Sequence, residues 1–475
     1  MVFSSTFFLF SFLPAVIICY YAQRLVAFTA LRNITLLFFS YLFYLYGAAD
    51  FLLILIMSTF TDYLLGLLID RATRQKKLWL CLSVIFNLGL LIYFKYGNFF
   101  IAEFNTALGS FQLNPIVWKE VIFPIGISFF TFKKLSYIID VYRGESPAMT
   151  SVVDFALYIA MFPQLIAGPI VRYSYIRSQL KERRETWDNF YTGILRFCWG
   201  LAKKVMIANS CGQIADVIFS LNLELLDTKV AWLGALAYTL QIYFDFSAYS
   251  DMAIGLGMLF GFKTPENFTR PYSAISVTDF WRRWHITLSQ WFRDYLYIPL
   301  GGNRRGILRT CFNMAVVCIL CGFWHGANWT FVAWGIFHAL FLILERVTGA
   351  RSIPLEKYRA VRRAITLFII TVGWVIFRSE DISQAMGFLR AMFTASDLTL
   401  SYELVRALNY RNILFLMTAL SVFFLPADFS GIKMLIDKKD PLALTAGAVM
   451  ILLLLPYCAA MIVGGVSSPF IYYRF

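Results

Sequence analysis

Apolar residues run along this chain in long blocks separated by short polar connections, a pattern of helices rather than strands. The first blocks are Phe7–Tyr21, Ile34–Tyr46, Phe51–Ile69 and Leu78–Phe94. Val121–Tyr142 and Val152–Val171 are also apolar but are interrupted by Pro124, Gly126, Pro163, Gly168 and Pro169. Such breaks are tolerated at membrane depth where protein or water covers the freed backbone groups, so kinked or re-entrant helices are predicted there. Further blocks lie at Phe190–Ile207, Ala231–Phe246, Ser247–Phe262, Thr310–Trp329, Phe331–Leu344, Ile365–Phe377, Ile413–Pro426 and Leu442–Val463. At roughly 20 residues per crossing, this amounts to about eleven to thirteen membrane segments.

One stretch departs from this pattern. In Ser276–Leu300 the residues Trp281, Trp284, His285, Leu288, Trp291, Phe292 and Tyr295 recur at steps of three and four. Arg282, Arg283, Gln290, Arg293 and Asp294 take the other faces. The period predicts one amphipathic helix lying in the interface, with His285 on its apolar side.

Composition agrees with a membrane protein. Hydrophobic residues make up 59% and charged residues 15%, and the mean hydropathy is +0.66. A soluble module needs less apolar surface, so 1–475 reads as a single membrane domain. The start, Met1–Ser5, lacks a basic n-region, so the first block reads as a retained helix. The formal charge of +14 sits in short loops rather than on a nucleic-acid face. Arg24 and Arg32 follow the first block, Asp50 alone separates the second and third, and Arg71, Arg74, Lys76 and Lys77 follow the third. That alternation places the N-terminus outside and the 71–77 loop in the cytoplasm, with Lys181, Arg183 and Arg184 marking another cytoplasmic loop.

The candidate chemistry begins with histidine. The chain has three, His285, His325 and His338, all in one tryptophan-rich part. His325 stands in Gly322-Phe323-Trp324-His325-Gly326. A neutral imidazole is the usual general base, and an ionisable group at membrane depth is a functional hypothesis by default. The plainer reading is a polar residue satisfied inside a bundle. Trp324 and Asn328 flank His325; Asn328 either orients the ring, stabilises an oxyanion or caps a helix.

Arg282 and Arg283, with Arg293, Arg304, Arg305 and Arg309, surround a glycine-rich stretch at Pro299–Gly306. They suit phosphate binding, or equally pairing with lipid headgroups. The tract Tyr243–Asp251 places Asp245 and Asp251 among apolar residues. Such charges either pair to join helices or line a wet cavity. With Asp62 they also leave a transporter open. The eight cysteines are scattered. Cys318, Cys321 and His325 share a helical face, but no fourth ligand is evident, so no metal is expected. Packing is the commoner fate of such cysteines, an acyl-cysteine the alternative.

These motifs, taken together, resemble the membrane-bound O-acyltransferase family, in its branch that O-acetylates alginate. The stretches that carry the resemblance are Met1–Ser5, Gly126–Phe132, Phe162–Ile170, Tyr243–Ser247, Asp279–His285, Tyr295–Arg304 and Gly322–Trp329. The last five residues, Ile471–Phe475, carry Arg474 where relatives often carry Gln. The resemblance implies an all-α polytopic fold of transmembrane or re-entrant helices around a central tunnel, with interfacial amphipathic helices. It implies His325 as the main catalytic residue, acting as base or as transient acyl carrier, and His285 as the second, with Trp324, Asn328 and His338 in support. The expected donor is acetyl-CoA, or an acyl carrier, docking near Arg282, Arg283 and Arg304, with no permanently bound cofactor. The expected partners are a periplasmic acetyltransferase of the SGNH-esterase type and a polysaccharide, across a bacterial inner membrane. Peptidoglycan O-acetylation and teichoic-acid D-alanylation are the alternatives within the family.

Overall fold

A computed structural model describes residues 1–23, 29–349, 358–394, 401–426, 432, 435–436, 441–465 and 470–471. Arg24 and Arg474 lie outside the described residues. The described residues form helices and no strand, as the apolar blocks predict. Chain contacts gather into two compact units, Met1–Phe190 with Leu256–Pro265 and Tyr191–Gly255 with Glu266–Phe475.

The first unit contains α1 (Leu13–Ala22), α2 (Thr29–Ala48), α3 (Leu52–Arg71), α4 (Lys76–Leu91) and α5 (Gly97–Ser110). It continues with α6 (Ile127–Arg143), α7 (Val152–Ala160), α8 (Phe162–Leu165) and α9 (Tyr173–Lys181). The rings of Phe8, Phe12, Phe43 and Phe162 pack with centroids 5.5–6.4 Å apart and form one apolar core. A polar core also exists. Asp62 of α3 accepts hydrogen bonds from Ser83 (2.5 Å) and Asn87 (2.8 Å) of α4 and pairs with Lys134 of α6 at 3.5 Å. Buried charge is retained where it is matched, and here it ties three helices together.

The later helices are α10 (Trp187–Ala202), α11 (Asn209–Phe219), α12 (Thr228–Leu259), α13 (Val277–Arg283), α14 (Ile286–Phe292) and α15 (Gly306–His325). They continue with α16 (Trp329–Val347), α17 (Arg359–Arg378), α18 (Ile382–Phe393), α19 (Tyr402–Ala407), α20 (Tyr410–Leu420) and α21 (Pro441–Val463). Apart from the first turn of α10 and the last residues of α12, they belong to the second unit.

Among the described residues, six helical stretches are long and apolar enough to cross a membrane: Thr29–Arg71, Lys76–Ser110, Gly306–His325, Trp329–Val347, Arg359–Arg378 and Pro441–Val463. Shorter apolar helices lie at Phe8–Ala22 and Tyr410–Phe423. Large apolar side chains stand outward along them, including Leu53, Ile85, Leu340 and Leu452, as suits a surface facing hydrocarbon.

Three predicted elements differ from the structure. Ala231–Phe246 and Ser247–Phe262 are not two spans but the single 32-residue helix α12. Asp245 and Asp251 lie within this helix, where both are ion-paired within the protein. Ser276–Leu300 is not one helix either. It breaks at Trp284 and His285 into α13 and α14, with His285 in a left-handed conformation at φ 42° and ψ 55°. A π-helical turn at Arg293–Tyr297 follows.

Candidate active site

Helices α15 and α16 form a hairpin joined by Gly326–Asn328. Their contact is close because it is made through glycine. A Cβ on Gly322 would collide with the Phe331 carbonyl, and one on Gly335 would lie 2.5 Å from the Cys318 carbonyl oxygen. Small residues let membrane helices approach backbone to backbone. Asn328 starts α16, accepting the Thr330 N–H at 3.0 Å and donating to the Glu380 carbonyl at 2.6 Å. Its amide thus serves the helix end.

The hairpin fixes His325 as the last residue of α15 and His338 two turns into α16. His325 is 5% exposed. Its ring meets Trp324 at 4.9 Å, and Trp334 and Phe377 edge-on at 5.2 Å. Trp334 continues to His338 at 4.8 Å, and His338 also meets Trp281 of α13 at 5.1 Å. Neither nitrogen of His338 has a hydrogen-bond partner among the described residues.

His285 is fully buried. Its Nδ1 lies 3.0 Å from Asn267 Oδ1, and its Nε2 has no hydrogen-bond partner among the described residues. Phe246 of α12 stands edge-on to the ring at 4.7 Å, and Trp324 lies at 6.3 Å. Burial pushes the imidazole down to about 3, so the ring is neutral at physiological pH. The three histidines therefore share one aromatic wall, in the order His285, Trp324, His325, Trp334, His338. The neutral imidazole of His285 keeps the lone pair of Nε2 for proton transfer.

The helix α13 is held against this wall from outside. Ser276 caps it by accepting the Asp279 N–H at 3.0 Å. The Glu345 carboxylate of α16 accepts the N–H groups of Val277 (2.6 Å) and Thr278 (3.0 Å). A carboxylate at a helix N-terminus satisfies unpaired donors and favours the dipole.

The predicted arginines separate. Arg282 lines a cavity of about 490 Å³ together with Arg293 and Arg346. Arg283 turns away and pairs with Asp279 at 2.8 Å. Arg304 stands exposed on the turn before α15 and does not line that cavity. Trp281, Ile286, Asn303 and Met314 complete much of its lining. A volume of this size suits a ligand, and three guanidinium groups suit phosphate.

A second cavity, of about 630 Å³, lies beside Arg196, Lys203, Asp251, Glu266 and Asn267. Asp251 is bound by Arg196 at 2.9 Å and Lys203 at 2.6 Å, and Arg196 also holds Glu266. Asp245 pairs with Lys204 at 2.7 Å and accepts the Ile471 N–H at 2.7 Å. The preceding Phe470 stacks on Tyr249 at 4.7 Å and reaches Phe246 at 6.0 Å. The acidic tract thus joins helices and also borders a cavity. Cys318 and Cys321 are half-buried on α15.

Sequence reasoning did not find Asn267, Glu345, Arg346 or Phe377. Arg346 and Glu345 sit at the end of an apolar block, where charge reads as a boundary. Asn267 lies in an irregular connection with no period to expose it.

A model of the MBOAT, membrane-bound O-acyltransferase family matches residues 35–379, which contain the three histidines and all three predicted arginines. The probable alginate O-acetylase AlgI of Pseudomonas putida is 47% identical over 412 residues, 86% of this chain and 83% of its own. The peptidoglycan O-acetyltransferase of Helicobacter pylori is 35% identical over 450 residues, 87% of this chain and 83% of its own. The teichoic acid D-alanyltransferase of Bacillus subtilis is 28% identical over 281 residues, 54% of this chain and 69% of its own.

Proposed function

The chain belongs to the membrane-bound O-acyltransferase family, and from that premise we propose that it moves acetyl groups across a bacterial inner membrane. The donor is acetyl-CoA, or an acyl carrier, on the cytoplasmic side. The acetyl group serves O-acetylation of an extracytoplasmic polysaccharide, alginate or a similar exopolysaccharide. The observation that carries this reading is the meeting of His285, His325 and His338 on one aromatic wall in a family of O-acyltransferases. The likeness to alginate O-acetylases supports the choice of polymer.

His325 takes the proton of the accepting hydroxyl as its oxygen attacks the thioester carbonyl. The tetrahedral intermediate then collapses, the C–S bond breaks, and the sulfur leaves as the thiol with that proton. His285, with Nε2 bare, assists. His338 and Trp324 shape the wall, and Asn328 fixes the turn after His325.

Arg282, with Arg293 and Arg346, receives the phosphates of the donor. Arg283 and Arg304 add positive charge outside that cavity. Moving a CoA-sized polyanion through hydrocarbon is prohibitive, so the acyl group crosses and the cofactor does not. The accepting hydroxyl is that of the polysaccharide, or of a periplasmic partner of the SGNH-esterase type, whose ester then passes the acetyl group to a polymer hydroxyl and takes that hydroxyl's proton in return. The N-terminus lies outside and the Arg71–Lys77 loop in the cytoplasm.

Sidedness tests this. In a cysteine-free background, Asn303→Cys, beside Arg304, should resist impermeant thiol reagents in intact cells and react after lysis. Labelling in intact cells would remove the cytoplasmic donor. A second reading, peptidoglycan O-acetylation, is favoured by the Helicobacter relative. A deletion strain that loses peptidoglycan acetyl groups while its exopolysaccharide stays acetylated selects it.

A further inference from the structure

The imidazole of His285 is held by an asparagine far away in sequence. Asn267 Oδ1 lies 3.3 Å from the Thr287 backbone nitrogen, 2.9 Å from the Thr287 hydroxyl and 3.0 Å from His285 Nδ1. A backbone N–H can only donate, so the side-chain atom at this point is the oxygen and not the amide nitrogen. The amide nitrogen points the other way and donates to Ser250 of α12 at 3.1 Å. His285 Nδ1 therefore meets an obligate acceptor. A neutral imidazole carries one proton, and here it sits on Nδ1. That leaves Nε2 as a bare lone pair, with no hydrogen-bond partner among the described residues.

The main chain repeats the grip. The Ile286 N–H donates to the Asn267 carbonyl at 3.0 Å, and the Thr269 N–H to the Arg283 carbonyl at 3.0 Å. Both Asn267 and His285 are 0% exposed. The left-handed backbone at His285 lies within this clamp.

We infer that Asn267 is a positioning residue that locks His285 in the Nδ1–H tautomer and presents Nε2 as acceptor. Its catalytic consequence rests on the proposed function, in which His285 assists His325; the tautomer itself does not.

The test begins without activity. With three histidines in the chain, protein labelled with ¹⁵N-histidine can be assigned in bilayers using His325→Gln and His338→Gln. His285 should show a protonated Nδ1 and a bare Nε2, retained in Asn267→Asp and lost or mixed in Asn267→Leu. A protonated Nε2 at His285 in the unaltered protein would overturn the inference. Acetylation is then measured against pH. Asn267→Asp should stay within about tenfold of the unaltered rate and move the acidic limb to higher pH, because a carboxylate on Nδ1–H strengthens the base. Asn267→Leu should fall as far as His285→Ala and add no further loss to it. A full multiplicative loss in the double variant would overturn the coupling. If Asn267→Leu does not fold, the Asn267→Asp profile decides: an unmoved limb rejects the role. Full activity in both His285→Ala and His325→Ala would instead sink the proposed function while the spectra still decide the tautomer.

Discussion

Two polar regions of the second unit are built on opposite terms. Around Asp251 every charge is answered. One carboxylate oxygen takes Arg196, the other takes Lys203, and Lys203 also donates to Ser247. Along the histidine wall, Nε2 of His285 and both nitrogens of His338 have no hydrogen-bond partner among the described residues, and the two imidazoles pack against the rings of Phe246 and Trp281. Charge left unmatched in a low dielectric is ruinous, whereas a neutral imidazole without a partner costs far less and keeps a lone pair ready. The first arrangement suits holding helices together and the second suits chemistry.

That contrast breaks if substitutions act alike in both regions. His325→Ala should cut acetylation by about 100-fold or more, the usual worth of a general base, with membrane yield unchanged. An expressed variant with near-normal polymer acetylation would end the assignment. Asp251→Ala should act on the protein instead. The Arg196–Asp251 pair is mostly but not fully buried, at 12% and 14% side-chain exposure, so removing one partner costs at most about 3–5 kcal/mol, and yield and thermal stability in detergent should fall. A stable Asp251→Ala protein without turnover would move Asp251 into the chemistry. Arg282→Ala should raise the KM for the donor by about tenfold with kcat little changed, and Arg304→Ala by less, since Arg282 lines the cavity and Arg304 does not. Equal effects would mean that the donor sits outside the 490 Å³ cavity. His338→Ala should cost less than His285→Ala. Cys321→Ala should keep most activity, because a half-buried cysteine on α15 is packing. An inactive but folded Cys321→Ala protein would revive an acyl-cysteine.

Much of the helix pattern is legible in the sequence, because a long apolar block can hide its backbone from lipid only as a helix. The aromatic setting of His325 is equally legible, since Trp324 and Trp334 lie close in sequence. The continuity of α12 is not, because the partners of Asp245 and Asp251 come from α10 and the turn after it. Nor is the break at His285. Periodicity assumes an unbroken helix, and the clamp that ends it comes from Asn267, 18 residues upstream. Arg282 and Arg283 look equivalent in sequence, yet an ion pair with Asp279 takes one and leaves the other to the cavity. Contacts of this kind carry no local signature.

The bond from Ile471 to Asp245 has a consequence for the order in which the molecule is made. The two residues are 226 positions apart. At about 5–20 residues per second, the ribosome needs roughly 10–45 s to bring the second after the first. Until then Asp245 has Lys204 without Ile471, and Phe246, the ring edge-on to His285, lacks its neighbour Phe470. The wall beside His285 is therefore finished late in synthesis, so a nascent chain stalled before Phe470 holds all three histidines in an incomplete setting.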